Sequence, residues 1–168
     1  YTEGTTILWR VRTAGITKVY GDWSIQRTID VYAPATLSIE ATNSNGDPIE
    51  ILEAFPIYIS ATTGPNTQVP IGYHLTVSSN ETYETVDSIG NMKVVSAGEE
   101  VYSKHFDTSE QLLVQLSANS LDLENNITYT VTCLVSMNTG LTAESSLEFK
   151  VSWTDEEYEP NAEIGIDT

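Results

Sequence analysis

The sequence predicts an all-β sandwich. Three observations carry that prediction. From Ile127 to Val135 apolar residues fall on every second position, with Thr128, Thr130 and Thr132 between them. From Leu147 to Trp153 the same period returns after turn residues Asn138, Thr139 and Gly140. No stretch of ten or more residues holds a helical period, and Thr, Ser, Tyr and β-branched residues recur throughout. Strand side chains alternate between two faces, so each run buries one face and wets the other. The two runs are expected to pair antiparallel, and the rest of the domain has to cover their apolar face.

The remaining elements follow in chain order. Ile7, Trp9 and Val11 alternate with Leu8, Arg10 and Arg12. A turn at Ala14 and Gly15, a bend at Gly21 and Asp22, and a return run of Trp23, Ile25, Ile29 and Val31 make residues 1–33 a hairpin. Pro34 ends it, because proline cannot donate to a ladder. Two strands cannot bury Trp9 and Trp23. The indoles are expected to find cover on the central domain, a second copy or another polypeptide.

Residues 34–154 then read as one complete sandwich. Leu37, Ile39 and Ala41 mark its first strand, and Asn43, Asn45, Gly46, Asp47 and Pro48 a turn. Phe55, Ile57, Ile59 and Ala61 mark the second, with Pro56 placing it at an edge or at a strand start. Ile71, Tyr73, Leu75 and Val77 mark the third, sending Gly72, His74, Thr76 and Ser78 outward. Tyr83 to Val86 and Met92 to Val95 are two short strands around residues 87–91. Val101 to Phe106 and Leu112 to Leu116 precede the two long runs. Residues 155–168 open on an acidic linker, and Ala162, Ile164 and Ile166 alternate like the start of another module. A chain opening Tyr-Thr-Glu, without an initiator Met, is expected to be a piece of a longer polypeptide.

Charge divides at the same boundary. Residues 1–33 hold four basic and three acidic side chains, whereas residues 34–168 hold three basic against 21 acidic ones. So acidic a surface repels phosphate backbones and anionic membranes, and neither nucleic acid nor membrane is an expected partner. The single cysteine, Cys133, excludes an intrachain disulfide and lies on the inward phase of its strand. No Gly-x-Ser-x-Gly, phosphate loop or dinucleotide loop occurs, and no nucleophile–base pair can be named, so the chain is read as no enzyme. His74 and His105 fall on different strands without metal-ligand spacing along one strand, and both read as exposed polar residues. Asp155, Glu156, Glu157, Glu159 and Glu163 crowd nine residues, the one weak candidate for metal. Calcium takes six to eight oxygen ligands, but no spaced Asp-x-Asp-x-Asp loop is present, and a solvated charge run is the default.

Leu123 and Tyr129 stand six residues apart in Leu-Glu-Asn-Asn-Ile-Thr-Tyr-Thr-Val. That spacing resembles fibronectin type III domains, where the Tyr closes a corner by bonding its hydroxyl back to the turn. Ile7-Leu8-Trp9-Arg10-Val11-Arg12 and Tyr20-Gly21-Asp22-Trp23-Ser24 resemble strands F and G of such a repeat, with Ile7 where the corner Tyr would stand. The central domain departs in its expanded 79–106 region and in lacking an early Trp. The resemblance therefore implies an immunoglobulin- or fibronectin-like sandwich, with Leu123, Tyr129, Trp9, Trp23 and Trp153 as structural residues.

The serial order resembles a slice through a tandem array: the end of one repeat, a whole one, and the start of a third. With Ile-Asp-Val-Tyr-Ala-Pro at one joint and Val-Ser-Trp-Thr-Asp at the other, it is similar to tail or virion structural proteins of phages and prophages of gut Firmicutes. The resemblance implies a structural or host-contacting module located in the virion. Its partners would be other virion subunits, copies of itself, or a host protein or glycan, and no cofactor is implied. Residues 62–69, 87–91 and 136–141 are the expected contact loops. The rival reading is a carbohydrate-binding accessory domain of a secreted bacterial hydrolase or a surface adhesin. Tyr73, Tyr83 and Tyr102 are the group available for that, although alternation places Tyr73 inward.

Overall fold

The computed structural model describes residues 5–16, 19–87 and 89–153. They form an immunoglobulin-like β-sandwich with a flanking hairpin. No helix among them is long and apolar enough to cross a membrane.

The hairpin pairs β1 (Thr6–Trp9) with β2 (Arg27–Asp30), Ile7 opposite Ile29 and Trp9 opposite Arg27. Beyond the regular ladder the ribbon is continued by Ser24 N–H to Val11 O (2.7 Å) and Gly21 N–H to Thr13 O (3.0 Å). It is a two-stranded sheet of its own.

One sheet of the sandwich takes β3 (Thr36–Thr42), β5 (Ile57–Gly64) and β10 (Leu112–Leu116), with β5 central. Pro56 therefore precedes a central strand and does not lie on an edge. Its missing donor falls before the first ladder bond, where it costs nothing.

The second sheet runs β4 (Ile51–Leu52), β12 (Thr142–Val151), β11 (Thr128–Met137), β6 (Pro70–Ser79), β9 (Glu100–Phe106). The two long runs pair antiparallel as expected, Tyr129 opposite Phe149 and Val135 opposite Ala143. The 79–106 expansion is a separate hairpin, β7 (Tyr83–Val86) with β8 (Met92–Val95), inserted between two neighbouring strands of this sheet.

Strand β4 was not legible in the sequence. After the 43–48 turn the chain leaves the first sheet and adds two residues to the second, parallel to β12 through Lys150–Ile51 and Val151–Leu52. Two residues show no alternation. Leu52 nonetheless becomes one of the most deeply buried side chains.

Between the sheets lie Ile57, Ile59, Leu75, Val77, Leu116, Tyr129, Val131, Val135 and Phe149, all fully or almost fully buried. Each such aliphatic or aromatic side chain contributes about 1.5–3 kcal/mol. Every residue of β2 is exposed, and β1 has only Ile7 half-buried. The hairpin thus adds nothing to this core.

Candidate functional site at the two poles

Strand registers place the loops at two opposite ends. The chain comes into the sandwich at one pole, where Thr36 faces Gly64. It leaves at the other, just past Val151, which faces Leu52. Ten-residue strands such as β11 separate the poles by about 30 Å.

At the first pole, Gln68 is only 4% exposed. Its Nε2 donates to Ala33 O at 2.7 Å, and its Oε1 accepts from Thr139 Oγ1 at 2.8 Å. Asn138 Oδ1 accepts from Val69 N–H (3.1 Å), and Asn138 N–H donates to Val69 O (2.9 Å). A primary amide suits this place because it offers donors and an acceptor at one point, and a buried polar group has to be satisfied. Much of 62–69 and 136–141 is therefore engaged with itself and with the hairpin joint. These loops, of which contact with a partner was expected, also fix the joint, and Val69 and Leu141 remain exposed in them. Gln68 carried no sequence signal, since its partners lie 35 and 71 residues away.

At the second pole the corner forms as expected. Leu123 is buried, and Glu124 N–H donates to the Tyr129 hydroxyl at 2.9 Å. That hydroxyl in turn donates to Tyr83 Oη at 3.1 Å, and Thr85 Oγ1 bonds the Glu124 carboxylate. Burial pushes the Tyr129 phenol far above its ordinary range, so it stays neutral. Asn125 Oδ1 accepts from Trp153 N–H at 2.9 Å, and the Trp153 and Phe55 rings lie 5.3 Å apart. Trp153 is half-buried, held at the point where the chain departs.

From this pole projects the inserted hairpin. Glu84, Val86, Met92 and Val94 form its outward face, and Ile89 at its tip is 80% exposed. Asp87 Oδ1 holds the tip by accepting from Ile89 N–H (3.0 Å) and Asn91 N–H (2.8 Å). All three expected contact loops present an apolar side chain to solvent, Val69 and Leu141 at the first pole and, most exposed of them, Ile89 here.

Both indoles of the N-terminal hairpin stay exposed, Trp9 at 40% and Trp23 at 47%. Trp23 stacks under two guanidinium groups, Arg10 and Arg12, each 4.5 Å from its ring, and Arg12 also lies 3.8 Å from the Tyr20 ring. Cation–π contact from within the ribbon, a source missing from the expected ones, covers only part of Trp23. Trp9, on the face shared with Ile7 and Ile29, keeps 40% of its surface exposed.

Other sequence candidates resolve simply. The Tyr73, Tyr83 and Tyr102 platform does not form: Tyr73 is buried and the others are half-buried. Cys133 is fully buried, and burial pushes its thiol up to about 11. Asn43 Oδ1 accepts from the amides of Asn45 and Asp47, so this acidic-amide cluster is a turn. Asp155, Glu156, Glu157, Glu159 and Glu163 lie outside the described residues. His74 and His105, read from the sequence as exposed polar residues on different strands, are cross-strand neighbours with stacked rings.

No protein-family model matches the chain, and no curated protein matches it either. Among solved structures it is similar to the sporulation control protein Spo0M from Bacillus subtilis, at 10% identity and a TM-score of 0.38. That match covers 73% of this chain and 51% of the other, so the chain spans about half of Spo0M. It is also similar to a cohesin module from a Clostridium perfringens family 33 glycoside hydrolase, at 12% identity and a TM-score of 0.35, covering 72% and 98%. Likenesses this distant carry no argument about function, and the fold rests on the strand topology itself.

Proposed function

We propose that the chain is a non-enzymatic spacer and contact module of a phage tail or virion appendage. It is a slice of a tandem array, in which residues 1–33 close one repeat, 34–154 form a whole sandwich and 155–168 begin another. The observation that carries this reading is polar. The chain joins the sandwich at one end and leaves it about 30 Å away at the other, with Ala33 and Trp153 both hydrogen-bonded into the body. A module held at both ends transmits position along an array, and the hairpin tip at residues 87–91 is its contact element toward another virion subunit or a host surface.

In this reading the bare face of Ile7, Ile29 and Trp9 is the inner face of the preceding repeat. The rival reading, an accessory domain of a secreted hydrolase or adhesin, has the same polar geometry but requires glycan retention. Antibody raised against the chain should label the tail appendage of particles induced from the encoding strain. Unlabelled particles, with the chain retained instead on a polysaccharide column, would overturn the virion assignment in favour of the rival.

A further inference from the structure

We propose that the outward face of the β7–β8 hairpin docks on the N-terminal ribbon of a second copy of this chain. The inference rests on the reading of that hairpin as the contact element and names its partner. The hairpin face carries Glu84, Val86, Met92 and Val94, with Ile89 beyond them at the tip. All four apolar side chains are more than half exposed. On the ribbon, alternation puts Leu8, Arg10 and Arg12 on the face opposite Ile7 and Trp9. Trp23 and Tyr20 share that face, because the two guanidinium groups stack on their rings. Leu8, Tyr20 and Trp23 are 59%, 52% and 47% exposed. The face of Ile7, Trp9 and Ile29 stays available to the preceding repeat.

Charge selects the occupant. All three arginines of the chain lie in residues 1–33, whereas residues 34–168 hold 21 acidic side chains against three basic ones. Two copies repel each other over most of their surfaces, and the ribbon is the region to which an acidic face is drawn. Among the described residues the only ion pair joins Lys93 to Glu99. Arg10, Arg12 and Glu84 therefore have no ionic partner among those residues. Side-chain chemistry matches as well. Met92 is a flexible thioether that packs well on aromatic rings, and the ribbon offers Trp23 and Tyr20. Strands of four residues make each face about 13 Å long. A single contact is therefore weak, and copies held in series strengthen it by effective concentration. The ribbon leads into one pole and the hairpin projects from the other, so each copy offers the two halves at opposite ends, a heterologous contact.

The test is sedimentation velocity of the full chain at rising concentration, up to about 1 mM, where weak contacts are read. One variant disables the hairpin face, Ile89→Ser with Met92→Ser. A second disables the ribbon, Arg10→Gln with Arg12→Gln. Leu8→Ser is a second ribbon variant that leaves the Arg–Trp stack in place, so the test stands if loss of the arginines loosens the ribbon. The expected result is a parent whose mean mass rises with concentration, less steeply in high salt. Each variant alone should stay monomeric. A mixture of a hairpin variant and a ribbon variant should form a one-to-one dimer and stop there, because each retains one intact half. A parent that is monomeric throughout, variants that associate like the parent, or a mixture that does not pair would overturn the proposal. Labelled virions together with a monomeric parent would overturn this inference alone and leave the module assignment standing.

Discussion

Tyr129 combines three functions in one side chain. Its ring fills the core beside Phe149, with centroids 6.0 Å apart, while its hydroxyl satisfies Glu124 N–H and reaches Tyr83. Tyr129→Phe keeps the ring and leaves that amide without its acceptor. The expected cost is about 1–3 kcal/mol, read as a lower urea midpoint at unchanged slope. Tyr83→Phe should cost less, because the Glu124 bond survives it. Cys133 gives a chemical prediction at the same scale. Thiolate is the reactive form, and both burial and a pKa raised to about 11 withhold it. A thiol reagent near neutral pH should leave the folded protein unmodified and react fully once it is unfolded.

The inserted β7–β8 hairpin shows how an element can be rigid at its base and exposed at its tip. Tyr83 and Val95 pair across its inner face, Val95 is buried, and the Tyr129 hydroxyl bonds Tyr83. The tip depends on Asp87. The hydrogen bond from the Asn91 backbone, helped by a weaker one from Ile89, holds its carboxyl below the usual carboxylate range, against a desolvation that outweighs the Ile89 bond but not their sum. The folded value lies below the unfolded one, so this contribution is complete above the unfolded value. It fades as the pH falls through the depressed folded value. Amide chemical shifts of Ile89 and Asn91 should therefore hold steady through the ordinary carboxyl range and move only in stronger acid. In Asp87→Ala they should already be displaced at neutral pH, with the sandwich unchanged.

At the scale of the whole molecule, the important joint is the one at Gln68. It links residue 33, just after the hairpin, to the β5–β6 loop and the β11–β12 turn through a single buried amide. Gln68→Ala strands the Ala33 carbonyl and the Thr139 hydroxyl, each of which can turn to water once the joint opens. The expected outcome is faster backbone motion at residues 31–35 in ¹⁵N relaxation. The unfolding midpoint should fall by the equivalent of about 1–3 kcal/mol. Unaltered relaxation would mean that the joint is held by something other than this amide.

Much of the fold was legible because its signals are local. Alternation over 127–135 and 147–153, turn residues at 43–48 and 138–140, and the Leu123–Tyr129 spacing each need only a few neighbouring residues to be read. They determined the class, nearly every strand and the corner. What the tertiary structure decided depends on register between distant segments. The parallel seat of Leu52 beside Val151, the three-way clamp of Gln68 and the meeting of His74 with His105 each join residues 31 to 99 positions apart in the chain. Side-chain period says which face a residue takes, but not which strand lies beside it. That choice is made when apolar faces from the whole domain close over one core, and the polar groups carried along then bond whatever they meet.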